Sequence, residues 1–218
     1  CVGILEVART LQALIDGEQR LAEGGVDVLW IETMSSEEEL KAAVEGASRA
    51  GLPIVTTMSF DTNGRTMMGI TPATFGALTQ SLAATPAAIG ANCGVGASEL
   101  IATVLGITKA RPDANVVAKG NCGIPQYKDG HIHYTGTPEL MADYARIALD
   151  AGAKIIGGCC GTMPDHLRAM RSALETRPKG PRPTLEDIAA HLGGFSSASD
   201  GTGDTSGDPK RERRGRRG

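Results

Sequence analysis

Three cysteines stand where two apolar runs end. Cys159 and Cys160 lie side by side in Gly157-Gly158-Cys159-Cys160-Gly161, and Cys93 follows the run Ala87 to Ala91 within Asn92-Cys93-Gly94. Adjacent cysteines make a poor disulfide, because the bridge wants Cα atoms about 5.5 Å apart. Neighbours within a regular strand cannot share a target either, since successive side chains point to opposite faces. They converge only where the strand stops and the backbone turns, and glycine permits that turn because it accepts positive φ without steric cost. Three thiols at two strand ends fit a Cys₃ zinc site whose fourth position stays open, as in catalytic zinc centres. Two plainer readings compete. A free cysteine is often a small buried hydrophobe. A vicinal redox dithiol ranks behind zinc because no C-x-x-C spacing occurs.

The elements that must position these residues alternate between strand and helix. Ala8 to Glu23 carries Leu11, Leu14, Ile15 and Leu21 at helical spacing and stops at Gly24-Gly25. Strands are expected at Val26 to Ile31, Pro53 to Ser59, Ala87 to Ala91, Asn115 to Lys119 and Ala153 to Gly157. Between them lie a helix capped by Ser35 with Glu38 as its capping box and reaching Ala50, and a helix opened by Pro72. Helices at Ser98 to Ala110, Pro138 to Asp150 and Met163 to Leu174 follow, with Phe60 to Thr71 and Gly120 to Thr137 as loops. Such alternation means a parallel sheet with right-handed crossovers. Glu32, Ser59, Cys93, Asn121, Cys159 and Cys160 all fall at strand C-termini. That placement favours a (β/α)₈ TIM barrel over an open doubly wound sheet. A full barrel needs eight units and about 250 residues. Five are visible, so the expectation is a truncated barrel holding about the last five β/α units. The earlier units would be lost or replaced by the atypical segment 1–21.

At 218 residues one domain is expected, with a partial barrel at 22–175, an extension at 176–195 carrying a short helix from Thr184 to Leu192, and a basic tail at 196–218. The tail lacks the apolar content to order itself. The net charge of −3 combines a tail of +2 with −5 over residues 1–195, so the folded part is mildly acidic and gives no support to nucleic-acid binding. No apolar run approaches the roughly 20 residues of a membrane span. Five cysteines without small-scaffold spacing point to a reducing cytoplasm.

Ala91-Asn92-Cys93-Gly94 and Gly157-Gly158-Cys159-Cys160-Gly161-Thr162 resemble the zinc signature of the homocysteine S-methyltransferase family. This family includes betaine–homocysteine methyltransferase and the homocysteine-binding module of methionine synthase. The likeness runs from roughly Ala22 to Leu174, through Trp30-Ile31-Glu32-Thr33, Met58-Ser59-Phe60 and Lys119-Gly120-Asn121. It implies a Zn²⁺ enzyme that methylates homocysteine to methionine by in-line attack of the sulfur on an activated methyl group. It implies Cys93, Cys159 and Cys160 as metal ligands, Glu32 as ligand of the homocysteine amino group, and Asn121 as a weak fourth ligand displaced by substrate. The plainer roles are a local salt bridge for Glu32 and loop capping for Asn121. Asn92 would orient the turn at Cys93, and Cys122 would be a spectator. His131 and His133 suit a β-ribbon or loop, and Met67-Met68 either a loop over the site or ordinary packing.

A thiol near pKa 8.5 is mostly protonated at neutral pH, so a metal that deprotonates it is what thiol methylation requires. The donor is expected to be betaine, with S-methylmethionine or methyl-cobalamin on another protein as alternatives. A quaternary ammonium wants an aromatic cage, and of seven aromatics Trp30, Phe60 and Tyr127 are the nearest candidates. The competing class is a non-catalytic zinc-binding half-barrel whose open sheet edges invite a partner or self-association.

Overall fold

In the computed structural model, residues 16–128 and 130–196 are described. The start of the first expected helix and nearly all of the basic tail lie outside them. Helix α1 occupies 16–23, and then five parallel strands alternate with helices. The strands are β1 (Leu29–Met34), β2 (Ile54–Met58), β3 (Ala88–Cys93), β4 (Val116–Gly120) and β7 (Ala153–Gly158), in the spatial order β1-β2-β3-β4-β7. The helices are α2 (Glu37–Ser48), α3 (Pro72–Leu78), α4 (Ala97–Ala110), α5 (Pro138–Ala151), α6 (Pro164–Thr176) and α7 (Leu185–Leu192).

One parity of each strand meets the helices. Leu29, Ile31, Ile54, Met58, Ile89, Ala91, Val116 and Ala118 form a single core with Leu40 and Val44 of α2, Phe75 of α3, Ile101 and Val104 of α4, and Tyr144 of α5. The other parity forms a separate small cluster of Val55, Ala88, Val117 and Ile155 that no helix joins among the described residues. Helices on one face only, over sequential parallel strands, are the arrangement of a (β/α)₈ barrel wall rather than of a doubly wound sheet. The chain is thus a five-stranded part of a barrel, with β1 and β7 each pairing with one strand among the described residues.

Local signals account for most boundaries. Thr137 caps α5 by accepting from Leu140 N, Pro138 sits in its first turn, and Gly152 closes it at φ 104°. Three expectations shift. β1 begins at Leu29 rather than Val26, because residues 24–28 form the exit from α1, with Gly25 at φ 85° and Val26 and Val28 exposed. It continues through polar Glu32-Thr33 because Met34 still pairs with Met58 of β2. The cap of α2 is Ser36, whose hydroxyl accepts from Glu39 N at 3.1 Å, while the Ser35 N–H donates to the Glu39 carboxylate. The stretch Gly120 to Thr137 is not a plain loop. It contains an antiparallel hairpin of β5 (Pro125–Lys128) and β6 (His131–Tyr134). The C-terminal extension is built into the fold: α7 buries Ile188 and Leu192, and the Ser98 hydroxyl donates to Gly193 O at 2.7 Å.

Candidate metal centre

The C-terminal ends of β3 and β7 deliver the three thiols. β3 leaves the sheet through two consecutive left-handed residues, Cys93 at φ 60° and Gly94 at φ 75°. A non-glycine residue in that region is uncommon and marks a constrained backbone. β7 gives way to Cys159-Cys160-Gly161. A Cβ on Gly158 would stand 2.2 Å from Thr162 Oγ1, and one on Gly161, at φ 77°, would stand 2.3 Å from Tyr134 Cγ. The turn therefore admits only glycine at these two places. The outcome is three Sγ atoms all within 4.8 Å of one another, with Cys159 and Cys160 Sγ 3.9 Å apart.

That spacing tests the chemistry. Bonded sulfurs lie about 2.05 Å apart, so the adjacent pair is no disulfide. Ligands at a Zn–S distance of about 2.3 Å on a tetrahedron are separated by about 3.8 Å. The spacing suits ligands of one such ion, and the cluster is open to solvent, with Cys160 exposed and Cys93 and Cys159 half-buried.

Two buried asparagines hold the turns. Asn121, just past β4, accepts the Cys160 N–H on Oδ1 at 3.1 Å, while its Nδ2 donates to Gly94 O at 2.8 Å and lies 3.6 Å from Cys93 Sγ. Asn92 Oδ1 accepts from the Thr57 hydroxyl at 2.7 Å and from Thr33 N at 3.0 Å. Its Nδ2 donates to Thr33 Oγ1 at 2.7 Å and reaches Cys159 Sγ at 4.0 Å. Thr33 itself is held at φ 64°, a genuine outlier for a β-branched residue. The backbone adds Cys159 N to Gly120 O and Cys122 N to Cys160 O, so the cysteine turn is stitched to the end of β4. Gly120 N in turn donates to the hydroxyl of fully buried Tyr144 at 2.9 Å.

Burial, and then the nearby Cys160 and Cys93, push the Cys159 thiol above its ordinary range. Tyr134, on β6, is raised above the ordinary tyrosine value by burial first and then by the neighbouring Cys160. Burial also raises Cys122, whose thiol donates to Gly136 O at 3.3 Å and takes no place in the cluster.

The remaining expected site residues are distributed as follows. Glu32, on the helix-free face of β1, is paired with Lys119 of β4, and Lys119 Nζ stands 5.1 Å over the Trp30 ring. Phe60 is buried edge-on against Phe75, and Tyr127 is exposed on the hairpin, so the three aromatics do not converge as a cage. His131 and His133 sit exposed on β6 and take no place in the thiol cluster. Met67 and Met68 are exposed in the 60–71 loop and fill no gap. Lys119, Thr33, Thr57 and Tyr134 were not marked by the sequence as site residues. The parity of β4 and β1 puts Lys119 opposite the same face as Glu32. The long-range bonds of Thr33 and Thr57, and the packing of Tyr134 against Gly161, leave no local trace.

A family model described as homocysteine S-methyltransferase matches residues 8–174. A methionine synthase of Mycobacterium leprae (strain TN) is 30% identical over 175 residues, covering 74% of this chain and 14% of that protein. The crystal structure of the apo form of the homocysteine methyltransferase MmuM from Escherichia coli superposes with a TM-score of 0.57 at 21% identity, over 73% of this chain and 57% of that one. The chain thus spans a minor part of the synthase and little more than half of the solved barrel.

Proposed function

The chain belongs to the homocysteine S-methyltransferase family, and on that premise we propose that it moves a methyl group from a donor such as betaine to the sulfur of homocysteine, forming methionine. The observation that carries this reading is the thiol triad, with 3.9 Å between Cys159 and Cys160 Sγ and Cys93 inside 4.8 Å. Cys93, Cys159 and Cys160 would hold zinc, which when bound keeps the acceptor sulfur deprotonated at neutral pH. The chain's own residues do the rest. Asn121 fixes the Cys93 and Cys160 turns relative to each other and borders the open position. Asn92 ties the ends of β1, β2 and β3 into one rim. Glu32, a carboxylate on that rim, takes the amino group of homocysteine. The new S–C bond forms as the donor–methyl bond breaks, and the donor leaves with the bonding pair. No helix among the described residues is long and apolar enough to cross a membrane, and a centre built on free thiols works in a reducing compartment such as the cytoplasm.

X-ray absorption at the zinc edge tests the reading. Homocysteine should convert a three-sulfur shell into a four-sulfur shell at about 2.3 Å. Methionine formation should then be followed with betaine, S-methylmethionine and a methyl-cobalamin protein in parallel, which identifies the donor. A shell left at three sulfurs under saturating homocysteine overturns the proposal.

A further inference from the structure

The ion pair between Glu32 and Lys119 spans the helix-free face of the sheet. Glu32 is on β1 and Lys119 on β4, with β2 and β3 between them in the sheet. The two side chains are 37% and 24% exposed. Partly exposed pairs contribute about 0–1 kcal/mol, so stability does not explain a lysine laid across two strands. The lysine also covers Trp30, and on β7 its partner in the register is Gly157, where a Cβ would stand 3.6 Å from Lys119 Cγ. The register places Lys119 opposite Asn92 and one step before Gly120, which is opposite Cys93. Lys119 therefore sits one register position before the strand ends that carry the thiols.

A carboxylate and an ammonium held side by side in reach of solvent are the complement of another such pair. An α-amino acid carries both charges on one carbon. We propose that Lys119 is a specificity-determining residue that binds the α-carboxylate of the thiol substrate, while the substrate ammonium replaces Lys119 on Glu32. One internal ion pair is exchanged for two with the ligand, and the side-chain sulfur points up to Cys93, Cys159 and Cys160. The inference rests on the methyl-acceptor reading above and adds a selection for the amino-acid zwitterion over simpler thiols.

Trp30 is the only tryptophan of the 218 residues, so its fluorescence reports Lys119 leaving the ring. The zinc-loaded chain is titrated with homocysteine, with 3-aminopropane-1-thiol, which lacks the carboxylate, and with 4-mercaptobutanoate, which lacks the ammonium. Homocysteine should bind at least about tenfold more tightly than either, the value of one charge-assisted contact, and should shift Trp30 emission. Lys119→Met should abolish the preference over 3-aminopropane-1-thiol and the emission shift while zinc content and the fourth zinc–sulfur contact persist. Lys119→Arg should restore part of both. A wild-type chain that binds homocysteine and 3-aminopropane-1-thiol equally overturns the assignment whatever the variants do. A Lys119→Met chain that keeps the wild-type preference overturns it as well, and leaves the methyl-acceptor reading standing. Failure of homocysteine to add a fourth sulfur in the wild type overturns both.

Discussion

Asn121 Oδ1 accepts the backbone N–H of Cys160 at 3.1 Å, across 39 residues of sequence. The same amide faces Cys93 Sγ with its nitrogen, 3.6 Å away. One buried side chain at the end of β4 therefore sets the distance between thiols that come from β3 and β7. Outer partners of metal ligands are worth about 10–100-fold in metal affinity. Asn121→Ala should weaken zinc binding within that range, measured by competition with a chromophoric chelator. Asn121→Asp should weaken it more, because a carboxylate facing Cys93 repels the thiolate that the amide N–H supports. Unchanged affinity in both variants would remove Asn121 from the site.

The triad is expected to hold one zinc ion per chain. Cys93→Ser, Cys159→Ser and Cys160→Ser should each lose most of it on metal analysis. The pH dependence follows from the raised Cys159 thiol. A thiol whose folded value lies above the unfolded one contributes stability that is complete below the ordinary value of 9.0 and is lost as pH rises through the folded value. The metal-free chain should therefore lose stability in the alkaline range above pH 9, while the zinc-loaded chain, whose cysteines are already deprotonated, should not. Zinc affinity should rise with pH over the neutral range, because binding releases thiol protons. Parallel denaturation profiles with and without chelator decide the matter.

How much of this was legible beforehand divides along physical lines. The strand–helix alternation and the identity of the three cysteines were readable, because period-two apolar runs, glycines and proline-opened helices are local signals. β1 begins three residues after the expected Val26, because Val26 and Val28 look like strand but belong to the turn that leaves α1. The β5–β6 hairpin reads as loop in the sequence because its strands are four residues each and mostly polar. The pairing of Glu32 with Lys119 was foreseeable only as a generic salt bridge. Its partner is 87 residues away and meets it through sheet order, which residue spacing alone does not encode.

Asn92 should matter for folding as much as for the metal. It is fully buried, and its amide satisfies Thr57 Oγ1 and both polar groups of Thr33, a residue kept at φ 64°. Removing one partner from a buried polar network leaves the others unsatisfied at about 1–3 kcal/mol each. Asn92→Ala should lower unfolding free energy by about 2–4 kcal/mol, even in chelator, where no zinc contribution is present. Asn121→Ala should be milder in chelator and more severe in its effect on zinc. Equal behaviour of the two variants would contradict the separation of rim from metal brace.

Tyr134 offers the sharpest test of the hairpin's part in the site. Its ring packs over Gly161, and burial first and then the neighbouring Cys160 raise its hydroxyl above the ordinary tyrosine value. A donor to a thiolate stabilises the charged form and withdraws electron density from the sulfur. Tyr134→Phe keeps the ring and deletes only the hydroxyl. Zinc affinity should fall by about tenfold, and the sulfur-to-metal charge-transfer bands of the cobalt-substituted chain should move to lower energy as Cys160 becomes a richer donor. Gly161→Ala acts on the same contact from the other side, since its Cβ would meet Tyr134 Cγ at 2.3 Å in a backbone held at φ 77°. It should displace Cys160 itself and cost more zinc than Tyr134→Phe does. Charge-transfer bands identical in wild type and Tyr134→Phe would show that the hydroxyl does not act on the cluster, and that the hairpin contributes packing alone.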